Sequence, residues 1–149
     1  MNFLHLALFL HLTGITLWIG GMAFIRVCLV SPALTTAQWA EAFERFFSLS
    51  WVSIALIVIS GGFMLIVTGY AHAPRAWLLM AFLGTAAVAV YASLWFAPWA
   101  ELRTALARGG LAQAQAQAAA QRICKRLDIT LALAALSATA ATLGLAMRM

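Results

Sequence analysis

Residues 46–70 read FFSLSWVSIALIVISGGFMLIVTGY, an apolar run without one Asp, Glu, Lys or Arg. A helix needs about 20 mostly apolar residues to cross the hydrocarbon core of a bilayer. The run is long enough, and it lacks the strict polar–apolar alternation of a barrel strand. Working outward, three more stretches meet the same test: about residues 3–30, 76–99 and 127–147. Inside lipid only helices or closed barrels satisfy every backbone N–H and C=O. The expectation is therefore all-α: an integral membrane four-helix bundle in which residues 1–149 form a single transmembrane domain.

Composition agrees. The chain of 149 residues is 65% hydrophobic and only 9% charged. A soluble domain carries roughly 25% charged residues to cover its surface, so the solvent implied here is lipid. The net charge of +5 lies between apolar runs, not in a stripe or tail, which argues against a nucleic-acid partner and for contacts with anionic head groups. Met1 and Asn2 supply no basic leader segment, and the apolar run from Phe3 is too long for a signal-peptide core. It reads as a retained first span.

The connections carry the topology. Residues 31–45 open with Ser31-Pro32 and place Trp39, Phe43, Phe46 and Phe47 at helical spacing. This predicts a short amphipathic helix at the interface before the second span. Residues 71–75 form a tight turn with His72 and Pro74. Residues 101–126 contain Gly109-Gly110, an Ala/Gln tract expected to be helical and extramembrane, and a cluster of basic residues. Seven of the nine basic residues lie in two loops on one side: Arg26, Arg45, Arg103, Arg108, Arg122, Lys125 and Arg126. Arg75 and Arg148 lie on the other. By the positive-inside rule the bundle runs up-down-up-down with both termini on the outer, periplasmic side of a bacterial inner membrane. Small residues at every fourth position suggest packing stripes: Ala81, Thr85, Ala89, Ser93 and Ala97 on the third span, Ala134, Ala138, Thr142 and Ala146 on the fourth.

Little of this chain can carry chemistry. No Asp, Glu or Lys falls at mid-membrane, which disfavours a proton or cation pump. There is no phosphate loop, no Ser-His-Asp set and no cysteine pair; Cys28 and Cys124 read as fillers. The histidines remain. His11 lies inside the first span, on the order of 12–16 Å below the outer surface at 1.5 Å per residue. A buried imidazole needs a partner. A structural histidine bonded to a backbone carbonyl, to Ser60 or to Thr85 is one outcome, and a metal or haem ligand is the other. His5 is six residues away, off the same face, and His72 sits in the outer turn. Met64 and Met80 fall in the outer half with the histidines, and thioether with imidazole suits Cu(I). Only one histidine is deep, so at most one haem can be accommodated, with His11 axial, Tyr91 or a methionine opposite, and Arg26 near a propionate.

The first span, His11-Leu-Thr-Gly14-Ile-Thr-Leu-Trp18-Ile-Gly-Gly21-Met-Ala-Phe24, resembles the opening helix of the copper resistance D (CopD) family. The resemblance extends along nearly the whole chain: Pro32-Ala33-Leu34, Arg45-Phe46-Phe47, Ser60-Gly61-Gly62, Ala73-Pro74 with Trp77 and Met80, Phe96-Ala97-Pro98 and Arg122-Ile123. It implies an inner-membrane protein linked to copper binding, transport or tolerance. His11, Gly14, Trp18, Gly21 and Arg26 are also similar in order to the first helix of HemJ-type protoporphyrinogen oxidases. That family holds haem b through the helix histidine and carries a lysine where Met80 stands here. Copper is the first expectation, haem b in a membrane oxidoreductase the alternative, and a non-catalytic module docking a partner at the basic 101–126 loop the third. A homo-oligomer is expected under the first, since four helices without central charge hardly enclose a pathway alone.

Overall fold

In a computed structural model, residues 3–30, 36–69, 73–108 and 113–146 are described. They form helices α1 (Phe3–Val30), α2 (Thr36–Thr68), α3 (Arg75–Phe96), α4 (Pro98–Ala107) and α5 (Gln113–Ala146), with no strand among the described residues. Three helical segments, Phe3–Cys28, Ala40–Thr68 and Arg75–Ala107, are long and apolar enough to cross a membrane. Beyond Asp128, α5 is uncharged to its end at Ala146, and residue 147 of the expected fourth span lies outside the described residues. Four long helices and one short one are thus present, and the chain is read as a membrane protein.

Local chemistry sets the ends. The α2 helix stops at Gly69, whose φ of 78° is open to glycine at little steric cost, and its N–H caps the Leu65 carbonyl at 3.0 Å. The α3 helix stops before Pro98, which lacks an N–H and clashes with the preceding turn. Ala97, pushed out of helical geometry at φ −128°, ψ −64°, is the joint, and Pro98 opens α4 at the position that tolerates it. The hydroxyls in the apolar helices bond their own backbone: Thr13 donates to Phe9, Thr16 to Leu12 and Thr85 to Ala81, at 2.8–2.9 Å. In hydrocarbon this removes most of their desolvation cost.

The helices associate as two pairs, α1 against α2 and α3 against α5, with α4 laid on α5. A shared core joins the pairs at one end only. It contains Trp18, Met22 and Ile25 of α1, Phe43, Phe47 and Ile54 of α2, Ala87, Tyr91 and Leu94 of α3, Trp99 and Leu102 of α4, and Ile123 and Leu127 of α5. Its centre is aromatic. Phe47 stacks on Tyr91 at 5.1 Å and on Trp95 at 4.9 Å, while Trp18 meets Tyr91 edge-on at 5.6 Å. The Tyr91 hydroxyl lies 2.7 Å from Ser50 Oγ, which donates to the Phe47 carbonyl. The indole N–H groups of Trp18 and Trp99 are buried without a partner among the described residues.

Apart from Arg75, the charges of the described residues collect at this same end. All four acids are paired: Arg26–Asp128 (2.8 Å) ties α1 to α5, Arg103–Glu44 (3.8 Å) ties α4 to α2, Arg122–Glu101 (3.0 Å) ties α5 to α4, and Arg45–Glu41 (2.6 Å) lies within α2. Exposed pairs contribute no more than about 1 kcal/mol each, but three of them fix which helices are neighbours. Arg126 donates to the carbonyl and hydroxyl of Ser93 at 2.8 and 2.9 Å. Ser93 lies in the last turn of α3, where carbonyls lose their helical partners, so Arg126 caps that helix from α5.

Two expectations change and one holds. The segment before the second span is no separate interfacial helix: α2 is continuous from Thr36, because nothing between Thr36 and Ser60 breaks it, and Phe43 and Phe47 point into the core instead of a lipid surface. The Ala/Gln tract of the 101–126 stretch is helical as expected, forming the first turns of α5 from Gln113, with α4 before it. The every-fourth stripe on α3 is not its packing face, since Thr85, Ala89 and Ala97 are exposed while Ala87, Tyr91 and Leu94 are buried. On α5 the buried line is Ala116, Ala119, Ile123, Leu127, Thr130, Ala134 and Ser137. Its three- and four-residue steps track a 3.6-residue helix, whereas a strict fourth-residue line drifts off the contact face.

Candidate functional site

At the end of the bundle away from the charges, the shared core is missing. No residue of α3 from Arg75 to Ala86 is buried. What holds this half together is the seam within each pair. Between α3 and α5, Ser137 donates to the Met80 carbonyl at 2.9 Å. Between α1 and α2, His11 is buried, with 7% of its surface exposed.

Glycines make the second seam close enough for this. A Cβ at Gly14 would lie 2.9 Å from both the Ser53 carbonyl oxygen and Ile57 Cγ1. A Cβ at Gly61 would lie 2.9 Å from His11 Cε1 and 3.3 Å from its Nδ1, so the imidazole occupies the space that a side chain at 61 would need. His11 Nδ1 lies 3.0 Å from the Ile57 carbonyl and 3.1 Å from Ser60 Oγ. The Ser60 hydroxyl is directed at the Leu56 carbonyl in a short contact. With that proton committed, Nδ1 of the neutral ring carries its own and donates it to Ile57, with Ser60 Oγ as second acceptor. Nε2 is left with its lone pair and has no hydrogen bond among the described residues; it is not one of the fully enclosed unpartnered atoms, so it reaches the edge of the seam. Of the partners expected for His11, the backbone carbonyl and Ser60 are found. Thr85 is exposed and bonds its own helix.

Apart from Met64, the other candidate residues that are described are not gathered around this nitrogen. His5 is exposed on α1. Met80 is half-buried on α3, in the other helix pair. His72 lies outside the described residues. Met64 is 8% exposed and sits one turn after Ser60, on the α2 face that meets α1. Tyr91 is fully buried and its hydroxyl is engaged by Ser50. Arg26 holds Asp128 through Nε at 2.8 Å and through Nη2 at 3.3 Å. Among the described residues no group of three or more His, Cys, Asp or Glu could hold a metal ion.

Two grooves lie elsewhere. One of about 620 Å³ runs between α4 and α5 past Glu101, Arg108, Gln115 and Arg122, and one of about 580 Å³ lies beside Glu41 and Arg45 of α2. Their charges are largely spent on each other, and neither is lined by an imidazole or a thiol. Sequence reasoning missed two interhelical contacts near these residues, Ser50–Tyr91 and Arg126–Ser93. The second had a visible signal: Pro98 ends α3 and leaves carbonyls needing a donor, and the nearest basic cluster opens the last helix.

Comparison of the chain with family models, with curated proteins and with solved structures gives no match.

Proposed function

We propose that this chain is a multi-pass inner-membrane protein of the copper resistance D type that binds copper through His11, with both termini and the His11 half facing the periplasm. One observation carries the reading. The Nδ1 proton of His11 is held by the Ile57 carbonyl and Ser60, and Nε2 is left as an unshared donor atom at the edge of an apolar seam. Metal-ligating histidines have this arrangement, because a hydrogen bond on one nitrogen fixes the tautomer and aims the other. The gathering of cations at the opposite end supports the orientation by the positive-inside rule.

Haem b is the second reading and would use the same nitrogen. The residues expected to complete that site have other partners: Tyr91 is tied to Ser50 and Arg26 to Asp128. The fit to a small cation is better than the fit to a macrocycle. A docking role for the basic 101–126 stretch is third, and Arg122 and Arg126 contribute less to it than their charge suggests, since they hold Glu101 and Ser93. A homo-oligomer remains part of the proposal, as the half-bundle without a shared core exposes wide helix faces.

The test is metal analysis and an absorption spectrum on one detergent-purified sample. Cu(I) loading should approach one ion per chain and fall sharply in His11→Ala. That variant should fold, because Ser60 keeps its bond to Leu56. Loading below about 0.2 per chain, unchanged by the substitution, refutes the copper reading. A Soret band lost in His11→Ala would transfer the assignment to haem.

A further inference from the structure

We propose that Met64 is the second ligand at His11, making a two-coordinate imidazole–thioether site for a soft monovalent cation, Cu(I) or Ag(I). The proposal rests on the reading of His11 as a metal donor and assigns its partner.

The register of the seam places the two residues in neighbouring layers. Gly21 lies against Phe46, Gly14 against Ser53 and Ile57, and His11 against Gly61. The helices are antiparallel, so one more turn sets Ala7 of α1 opposite Met64 of α2. Both are buried, at 7% and 8% exposure. Met64 follows Ser60 by four residues and Ile57 by seven, which keeps it on the same helical face as the His11 contacts.

Side-chain direction then brings the layers together. Long side chains on a helix lean toward its N-terminus. On α2 that direction takes Met64 back toward Ser60 and Gly61. On α1 it takes His11 toward Ala7. In an antiparallel pair these directions oppose each other, so each side chain leans toward the other's layer. Ala7 and Gly61, opposite Met64 and His11, are small. Met64 is unbranched, with three rotatable bonds to place its sulfur.

Among the described residues the other methionines and the other histidine are poorly placed. Met22 is fully buried in the core at the charged end, eleven residues and roughly 16 Å along α1 from His11. His5 is exposed and Met80 belongs to the other helix pair. Two ligands of this type select by softness: zinc takes four N, S or O ligands in structural sites, whereas thioethers select Cu(I).

The experiment compares wild type, Met64→Leu, Met80→Leu and His11→Ala in lipid nanodiscs. Cu(I) and Ag(I) affinities are read by chelator competition, and Zn(II) binding serves as the hard-metal control. Met64→Leu keeps the volume and should fold. It should weaken Cu(I) and Ag(I) at least about tenfold, leave Zn(II) unchanged, and remove the single sulfur from the X-ray absorption of the Cu(I)-loaded protein. Met80→Leu should match wild type. If Met64→Leu binds Cu(I) as wild type does and retains the sulfur signal, the ligand assignment is overturned while the His11 reading stands. If wild type binds neither Cu(I) nor Ag(I), the His11 reading fails first and this assignment with it.

Discussion

Gly14→Ala and Gly20→Ala differ by six positions on one helix and should move stability in opposite directions. In both, replacing glycine by alanine relieves the backbone entropy cost of a helical glycine, about 0.8–1.0 kcal/mol. At Gly20 nothing lies within 4 Å of the new Cβ, so that gain stands. At Gly14 the methyl would sit 2.9 Å from the Ser53 carbonyl oxygen, 2.9 Å from Ile57 Cγ1 and 3.2 Å from Leu56 Cβ. Carbon contacts are optimal at about 3.5–4.0 Å, and one of these neighbours is backbone that no rotamer change can move. The α1–α2 seam must open by several tenths of an ångström, an overpacking cost of about 1–3 kcal/mol. The propensity gain cancels between the two variants, so their difference isolates the steric cost. At roughly 2–4 °C per kcal/mol for a chain of this size, Gly14→Ala should melt about 2–12 °C below Gly20→Ala in one detergent. It should also weaken any His11-dependent metal binding, because His11 bonds across the same seam. The assay is thermal unfolding followed by intrinsic tryptophan fluorescence. A Gly14→Ala protein that melts at or above Gly20→Ala would refute the close approach of α1 and α2 and, with it, the geometry argued for His11.

Two further outcomes test other parts of the molecule. Tyr91→Phe should cost about 0.5–1.5 kcal/mol, the net value of one hydrogen bond, because Ser50 still donates to Phe47 and the Phe47 stack survives; Tyr91→Ala should cost about 3–5 kcal/mol, and equal losses in the two would show that the stack contributes little. Cys124 is half-buried on α5, and burial raises its thiol above the ordinary range despite the opposing pull of Arg26; its thiolate fraction at neutral pH is therefore low, and alkylation should be slow at pH 7 and still climbing with pH where an ordinary thiol has levelled off, whereas a plateau near neutral pH would contradict that environment.

How much of this was legible beforehand depends on the range of the interaction. The first span was expected at about residues 3–30, and α1 covers that range. The end of α3 was placed about three residues late, because the apolar signal runs through Trp99 while Pro98 breaks the backbone before it. The interfacial helix expected before the second span merged into α2, since an amphipathic face cannot by itself distinguish a lipid surface from a neighbouring helix. The small-residue stripe on α3 was misjudged for the same reason, while Thr142 and Ala146 of the α5 stripe lie outside the residues whose side chains are described. A line of alanines shows where backbones can approach, and α3 instead buried the face carrying Tyr91. For His11 the sequence supplied the right list of partners, a carbonyl or a hydroxyl, but only the seam chose Ser60 and Ile57 over Thr85.

The sequence by itself determined that the chain is helical and suited to lipid, because hydropathy and the need to satisfy backbone groups are properties of each segment alone. It also determined that one imidazole lies deep in the first span. The tertiary structure decided the pairing of helices, the collection of all four acids into ion pairs at one end, the cap that Arg126 places on α3, and which nitrogen of His11 stays free. These depend on side chains that are distant in the chain meeting at a few ångströms, and such distances follow from how whole helices pack.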